Sequence, residues 1–374
     1  MTLRYVDGTN GNDSYDGSVP VYTSGTTGPK KTIASAEAIP VAAGDIVHIK
    51  AGVYRESVTL GVSGTAGNPI EYRGDYLGLI WPGSGGVVRM TGSNDEKTAT
   101  RANCILGTGR SYRTITNISF DLCTSNIIDF GAGAASNWII QKCTFVQANN
   151  GGCISFSSTG NTSCLVDRCF FRAHAANFAI AFVGAADNTG NLVTNCIFIG
   201  GARHVQTNGM GGVIVRNCIN IGSLGAAYRV VTALTVGQTF TVNNCIINGC
   251  TTGFQCTTAA EGVENYNSLS SNVTDRTTWP AGANSNTWPP LFDSRWFFQM
   301  VNAGAGPYSA LQLVTPFDLS QYSQLIDLAG TSPTTTDMRG TAVQGAQREW
   351  GALEYDSTLK IFGGIHKNRL EQER

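Results

Sequence analysis

Charged residues and helical periodicity are scarce in this chain of 374 residues. Only 14% of the residues are charged and the formal net charge is -1, so nucleic acid and anionic membranes are not expected partners. No apolar run reaches the length of about 18 residues that a membrane-spanning helix needs. Between Ile105 and Gly262 no ten-residue stretch has apolar residues spaced by three and four, which excludes helical repeats there.

The first residues also lack a hydrophobic export segment, because folded-looking sequence begins at once with Leu3–Asp7. If Met1 is the native start, we expect the protein not to use the general secretory route. If Met1 was added, an extracellular location remains the alternative.

What the chain has instead is a short phrase repeated with a period near 25 residues. Its first position is small or apolar, its third is usually apolar, and the middle position varies. The phrase occurs at Ile118–Phe120, Cys143–Phe145, Cys169–Phe171, Cys196–Phe198, Cys218–Asn220 and Cys245–Ile247. A second phrase follows about ten residues later, at Ile128–Phe130, Ile154–Phe156, Ile180–Phe182, Val205–Thr207, Tyr228–Val230 and Phe254–Cys256.

A period in the twenties with alternating apolar residues indicates stacked units built from strands. The sequence therefore predicts an all-β fold, a right-handed parallel β-helix in which each coil gives one short strand to each of two or three parallel sheets. The cysteines of the first phrase should stack inside as small apolar side chains, since no Cys-x-x-Cys pair suggests a metal site and the total of 11 is odd.

Both ends of the chain resemble the pectate-lyase-like superfamily of right-handed parallel β-helix proteins. At the front the resemblance lies in Tyr5–Gly8, Gly11–Asp13, Thr32–Ala36, Gly44–Glu56 and Asn68–Asp75, and at the back in Pro290–Phe292, Ile326–Gly330, Asp337–Gly340 and Gly351–Tyr355. It implies a short helix that plugs the front of the barrel, and an irregular cap at the back. Lyases, hydrolases, phage tail spikes and structural rods share this fold, so the resemblance specifies architecture more than activity.

Four segments follow from this reading. Residues 1–45 are an N-terminal loop and capping helix, and residues 46–276 are the β-helix coils. Residues 277–356 are an aromatic-rich segment with closing coils, and residues 357–374 are a polar C-terminal tail.

Polysaccharide lyases of this fold need a cation or a cationic side chain to neutralise the uronate carboxylate, and a base to remove the acidified proton. The acids between Cys104 and Ala260 do not stack on one another from coil to coil, so no metal or other cofactor is predicted. The candidate catalytic residues are therefore basic: Lys142, Arg168, Arg172, His174, Arg203, His204 and Arg229. Lys142 should stack under Arg168. Arg172 with His174, and Arg203 with His204, should lie just past the cysteine ladder in consecutive coils; solvated turns explain these residues equally well.

The middle residues of the two phrases should face outwards. In the second phrase they form a polar strip that predicts glycan binding by Asp129, Gln206, Arg229 and Gln255, or simply a solvated sheet. In the first phrase they form an apolar stripe of Phe170, Ile197, Ile219 and Ile246. An exposed stripe of this kind indicates an interface, here in a homotrimer, unless the aromatic segment after Trp279 folds back over it.

These expectations favour a phage virion surface structural protein, either a tail-spike-like rod or a capsid decoration. It would be homotrimeric, attached to other virion proteins through residues 357–374, and able to bind a host surface polysaccharide. The alternative is a polysaccharide lyase or hydrolase that acts on an acidic polysaccharide.

Overall fold

Short strands joined by tight turns make up almost all of the fold. The computed structural model describes residues 1–39, 41–146, 151–157, 160–173, 177–184 and 189–287. The strands of the first half are β1 (Leu3–Val6), β2 (Ile46–Ile49), β3 (Gly52–Tyr54), β4 (Val58–Thr59), β5 (Ile70–Gly74), β6 (Val88–Thr91), β7 (Ile105–Leu106), β8 (Arg113–Thr116), β9 (Ser119–Asp121), β10 (Ile128–Asp129), β11 (Ile139–Gln141), β12 (Thr144–Val146) and β13 (Ile154–Phe156). Those of the second half are β14 (Leu165–Asp167), β15 (Phe170–Ala173), β16 (Phe178–Val183), β17 (Asn191–Thr194), β18 (Ile197–Gly200), β19 (Arg203–Asn208), β20 (Val213–Arg216), β21 (Ile219–Ile221), β22 (Ala226–Val230), β23 (Phe240–Asn243), β24 (Ile246–Asn248), β25 (Thr252–Gln255), β26 (Gly262–Asn265), β27 (Ser268–Ser270) and β28 (Thr274–Thr277).

Within the described residues these strands form three parallel sheets. Sheet 1 has ten strands in the order β1-β2-β5-β8-β11-β14-β17-β20-β23-β26. Sheet 2 has nine strands running from β3 to β27, and sheet 3 has nine running from β4 to β28. Each coil visits sheets 1, 2 and 3 in turn, so coil 1 contains β2 to β4 and coil 9 contains β26 to β28. The predicted all-β, right-handed parallel β-helix is confirmed.

The turn from sheet 1 to sheet 2 explains the residue that precedes each cysteine of the first phrase. This residue adopts the left-handed conformation in successive coils, with φ of 53° at Lys142, 52° at Arg168 and 54° at Asn195. Asparagine tolerates that conformation better than most residues, and it occupies the equivalent positions 217 and 244. The turn carries the chain from sheet 1 to sheet 2 within two residues.

Aromatic rings and thiols stack from coil to coil in the interior. Phe120, Phe145, Phe171 and Phe198 form a row of parallel rings whose neighbouring centroids are 5.2, 4.9 and 4.9 Å apart. All 11 cysteines are buried and carry free thiols. The predicted role of the ladder cysteines as interior side chains is thereby confirmed.

A short helix covers the front end of the barrel. Helix α1 (Ile33–Ala38) begins after Thr32, whose hydroxyl accepts a hydrogen bond from Ser35 N at 3.1 Å. Glu37 of this helix forms a buried ion pair with Arg113, at 2.9 Å, which ties the plug to coil 3. The chain before the helix was expected to be a loop, but it also contains β1, which extends sheet 1 beyond β2.

At the other end the ring of Trp279 is buried against Phe254 and Phe240, with centroids 4.9 and 5.6 Å apart. The predicted irregular C-terminal cap, the closing coils after residue 287 and the tail 357–374 lie outside the described residues. A short 3-10 helix spans Ala259–Glu261. No helix in the part of the chain that the structure describes is long and apolar enough to cross a membrane.

Candidate functional site

One outward-facing residue per coil forms a straight row along sheet 3. Adjacent strands pair these residues in register, so neighbours lie one strand spacing apart, about 4.8 Å. The row, which we call the sheet 3 face, runs from coil 3 to coil 8 through Asp129, Ser155, Ala181, Gln206, Arg229 and Gln255. The predicted alignment of this polar strip is thus present, and its glycan binding remains a prediction.

Two arginines lie beside each other on this face. Arg229 is in the row itself, and Arg203 begins β19 one coil earlier, where its Nη1 donates to Gln206 Oε1 at 3.4 Å. Partial burial, and then the charge of Arg229, lower the pKa of Arg203. The two guanidinium groups, which we call the arginine pair, are therefore close enough to repel each other.

Among the described residues no carboxylate forms an ion pair with either member of the arginine pair. The Nε of Arg229 is buried and lacks a hydrogen-bond partner. A buried donor without a partner costs about 1–3 kcal/mol, and like charges side by side add to that cost. An anionic ligand would relieve both penalties, so the geometry suits binding of a carboxylate or a similar anion.

The only acid in the row is Asp129, and its carboxylate is held by neutral donors. It accepts hydrogen bonds from Ser157 Oγ and Gly131 N, each at 2.8 Å, and from Asn126 Nδ2 at 2.9 Å. The residue above it in the next coil is Ser155, so no second carboxylate stacks on it. Calcium needs about six to eight oxygen ligands, and the described residues contain no cluster of three or more potential metal ligands. The donor set of the sheet 3 face therefore does not fit a calcium ion.

Lys142 and Arg168 stack one coil apart, as predicted, but on another edge of the rod. They occupy the turn from sheet 1 to sheet 2. Lys142 is exposed, whereas Arg168 forms an ion pair with Asp167 at 2.7 Å. The structure does not bring these two residues together with the arginine pair.

Arg172 and Arg203 lie in consecutive coils, as predicted, but they are not beside each other. Arg172 lies in β15 of sheet 2, where it pairs with Ile199 of the next coil, while Arg203 pairs with Phe178 of sheet 3. They stand in different sheets because Arg172 follows Cys169 by three residues, whereas Arg203 follows Cys196 by seven. His174 lies outside the described residues.

His204 is inside the barrel and is therefore not part of the face, contrary to its prediction as a site residue. Its ring is fully buried and stacks on Phe198 with centroids 5.5 Å apart. Nδ1 lies 3.0 Å from Asn220 Oδ1, and Nε2 lies 2.9 Å from Gly200 O. Burial lowers the pKa of His204 to about 4. His204 and the next residue, Val205, are both fully buried in the interior, so the alternation of a regular strand breaks at the start of β19.

The apolar stripe on sheet 2 is covered, contrary to the expectation that it is exposed. Phe170, Ile197, Ile219 and Ile246 each expose 1% or less of their surface within a single chain. Side chains already buried in one chain offer no area to a second copy, so the basis of the predicted interface does not hold. The homotrimer itself stays a prediction, and the proposed cover, the aromatic segment after Trp279, lies outside the described residues beyond residue 287.

Sequence reasoning missed the neighbourhood of Arg203. Phe178, which is half-buried, lies in register with Arg203 on the adjacent strand, and Ala226 follows on the other side. The ring of Phe178 itself lies over Gly152 of coil 4. Phe178, Arg203 and Ala226 each precede the outward-facing residue of their own strand by three positions. Alternation with a period of two would therefore place them inside the barrel. Only the repeat of this irregularity in coils 5 to 7 signals their position.

Comparison with known proteins identifies the fold. No protein-family model matches the chain, and no curated protein matches it. Among solved structures, the pectate lyase Pel9A aligns with 95% of this chain and 97% of its own, at 14% identity and a TM-score of 0.50. A rhamnogalacturonan lyase aligns with 72% of this chain and 74% of its own, at 16% identity and a TM-score of 0.52. At such low identity the likeness shows a shared pectate-lyase-like right-handed β-helix.

Proposed function

We propose that this protein binds an acidic polysaccharide on the sheet 3 face and cleaves it as a lyase or hydrolase. The observation that carries the proposal is the arginine pair, two neighbouring guanidinium groups with no carboxylate partner among the described residues. The solved structures of similar fold are named as lyases of two polysaccharides, which supports this alternative better than a virion role.

In an elimination reaction on a uronate, a base removes the proton from the carbon next to the carboxylate. The bond from the adjacent carbon to the leaving sugar oxygen breaks, that oxygen gains a proton, and a carbon–carbon double bond forms in the product. Neutralising the carboxylate makes the proton more acidic. The arginine pair suits this task, because a guanidinium fork matches the two oxygens of a carboxylate.

The test is incubation with alginate, pectate and glycosaminoglycans, followed by the ultraviolet absorbance of unsaturated uronate and by reducing ends, which also report hydrolysis. Binding of the same polymers is measured by calorimetry. Loss of charge-assisted hydrogen bonds in Arg229→Gln should weaken binding by about tenfold or more. Arg229→Lys keeps the charge but loses the fork, so it should restore binding only in part.

The matched control is Arg172→Gln, which removes the same charge from sheet 2 and should leave binding unchanged. Equal losses in Arg229→Gln and Arg172→Gln would mean that only net charge matters, and would overturn the site. Absence of both binding and cleavage with every acidic polymer would overturn the function and return the virion rod to first place. The homotrimer, the attachment through residues 357–374 and the cellular location remain proposals that a solution mass and fractionation would test.

A further inference from the structure

Access to the sheet 3 face changes at coil 7. In coils 5 and 6 the outward residues Ala181 and Gln206 expose 0% and 7% of their surface. In coils 7 and 8 Arg229 and Gln255 are half-buried, and Thr277, which continues the row into coil 9, is exposed. A ligand held by Arg229 therefore meets accessible residues of the row only on the side of coils 8 and 9.

The two glutamines that flank Arg229 are in different environments. Gln206 is buried, and its Oε1 accepts a hydrogen bond from Arg203 Nη1 at 3.4 Å. Gln255 lies one strand spacing, about 4.8 Å, on the other side of Arg229. Its side-chain amide forms no hydrogen bond with the described residues, so both N–H donors and the carbonyl oxygen are available. Gln206 thus positions Arg203, whereas Gln255 is free to bind a ligand.

The accessible outward side chains next to Gln255 are uncharged. Thr252 is half-buried and Thr274 is exposed, and they stand in register on coils 8 and 9. Arg276, in the same strand as Thr274, is aligned with the buried Phe254 and forms an ion pair with Glu264 at 2.6 Å. The charge of Arg276 is thus compensated within the chain. Hydroxyls and an amide without a cation suit the hydroxyl groups of a sugar better than a second carboxylate.

We infer that Gln255 binds the sugar next to the acidic one and requires free hydroxyl groups on it. This inference rests on the proposed function. A sugar unit in an extended glycan is comparable in length to one strand spacing, about 4.8 Å, so a carboxylate at the arginine pair places the next sugar over Gln255. There the amide can donate to one hydroxyl and accept from another. The ligand class is therefore a uronate joined, on the side of coil 9, to a sugar whose hydroxyls are not esterified.

The first test compares two ligand sizes by ligand-observed NMR titration, which also detects weak binding. The probes are the uronate monosaccharide and the saturated disaccharide from each of alginate, pectate and a glycosaminoglycan. Gln255→Ala should weaken binding of the disaccharide about threefold to tenfold, the size of one neutral hydrogen bond, and leave the monosaccharide unchanged. Arg229→Gln should weaken both. An equal loss for both ligands in Gln255→Ala would place Gln255 against the acidic sugar and overturn the inference.

The second test acetylates the hydroxyls of the disaccharide. Acetylation should weaken binding to the unmodified protein more than binding to Gln255→Ala, because the variant has already lost the contact; equal losses in both proteins contradict the inference. The matched control, Gln141→Ala, removes a half-buried amide from sheet 1 and should change nothing, and thermal unfolding confirms that each variant keeps the fold. If Arg229→Gln weakens binding while Gln255→Ala has no effect, this inference fails and the proposed function stands; if Arg229→Gln has no effect, both fail.

Discussion

His204 should make the protein less stable as the pH falls from about 6.5 to about 4. Its ring is fully buried, and burial lowers its pKa from 6.5 to about 4. Both contact atoms, Asn220 Oδ1 and Gly200 O, are acceptors, so they favour the protonated ring, but burial outweighs them. In this range the unfolded chain therefore binds a proton that the folded chain excludes. Stability rises with pH wherever the unfolded state binds more protons, so acidification lowers the free energy of unfolding.

The size of the effect follows from the two pKa values. Each tenfold difference in proton affinity is worth about 1.4 kcal/mol, so the gap between 6.5 and about 4 corresponds to about 3 kcal/mol of unfolding free energy. Above about pH 6.5 the ring is neutral in both states and contributes no pH dependence. Near pH 4 nearly the whole loss is present. Against a typical stability of about 5–15 kcal/mol, this is a measurable fraction.

The assay is urea unfolding at about pH 7, 5.5 and 4.5 of the unmodified protein and of His204→Phe. Phenylalanine extends the ring stack on Phe198 and does not titrate. It also loses the ring's polar contacts, which changes stability by a similar amount at every pH. Carboxylates and the other histidines, among them the buried His48, titrate in both proteins and cancel in the difference. The unfolding free energy of the variant minus that of the unmodified protein should increase by about 2–3 kcal/mol between pH 7 and 4.5. A difference that stays constant with pH would refute the reasoning.

Two further predictions concern the turn and the covered stripe. Lys142→Asn should raise the free energy of unfolding by about 0.5–1 kcal/mol, because asparagine tolerates a φ of 53° better than lysine and the lysine side chain is exposed. A lower thermal midpoint would contradict this prediction. A loss of activity would place Lys142 in the site. The double change Ile197→Asp and Ile219→Asp should lower the thermal midpoint steeply, since both positions are buried. A well-folded variant whose mass by light scattering drops from trimer to monomer would instead support the predicted interface.

Interior positions were predictable from the sequence because the core repeats. A cysteine recurs once per coil at Cys143, Cys169 and Cys196, and each is fully buried. The acids, predicted not to stack on one another, pair one coil later with residues that are not acidic: Asp121↔Val146, Asp129↔Ser155 and Asp167↔Thr194. A repeated inward side chain must meet its own copy one coil later, so periodicity alone determines these contacts.

Exposure on the outer surface was not predictable in the same way. Period-two alternation correctly placed Phe170 and Ile197 on the outer side of sheet 2, but it says nothing about what lies over that side. The same rule failed for His204 because two consecutive residues point inwards where sheet 3 begins. Alternation describes a regular strand, and both failures arise where a strand ends or where something packs on its outer face.

The candidate site depends on departures from the repeat. Lys142 and Arg168 drew attention because they stack, yet stacking only showed that they share a turn, where one is exposed and the other is paired with Asp167. Arg203 and Arg229 occupy different positions in their strands and do not stack by period at all. They become neighbours because Arg203 stands at the irregular start of β19 and turns towards Gln206. In a solenoid the repeat builds the scaffold, and a site with its own charge pattern arises where side chains from unequal positions of adjacent coils converge.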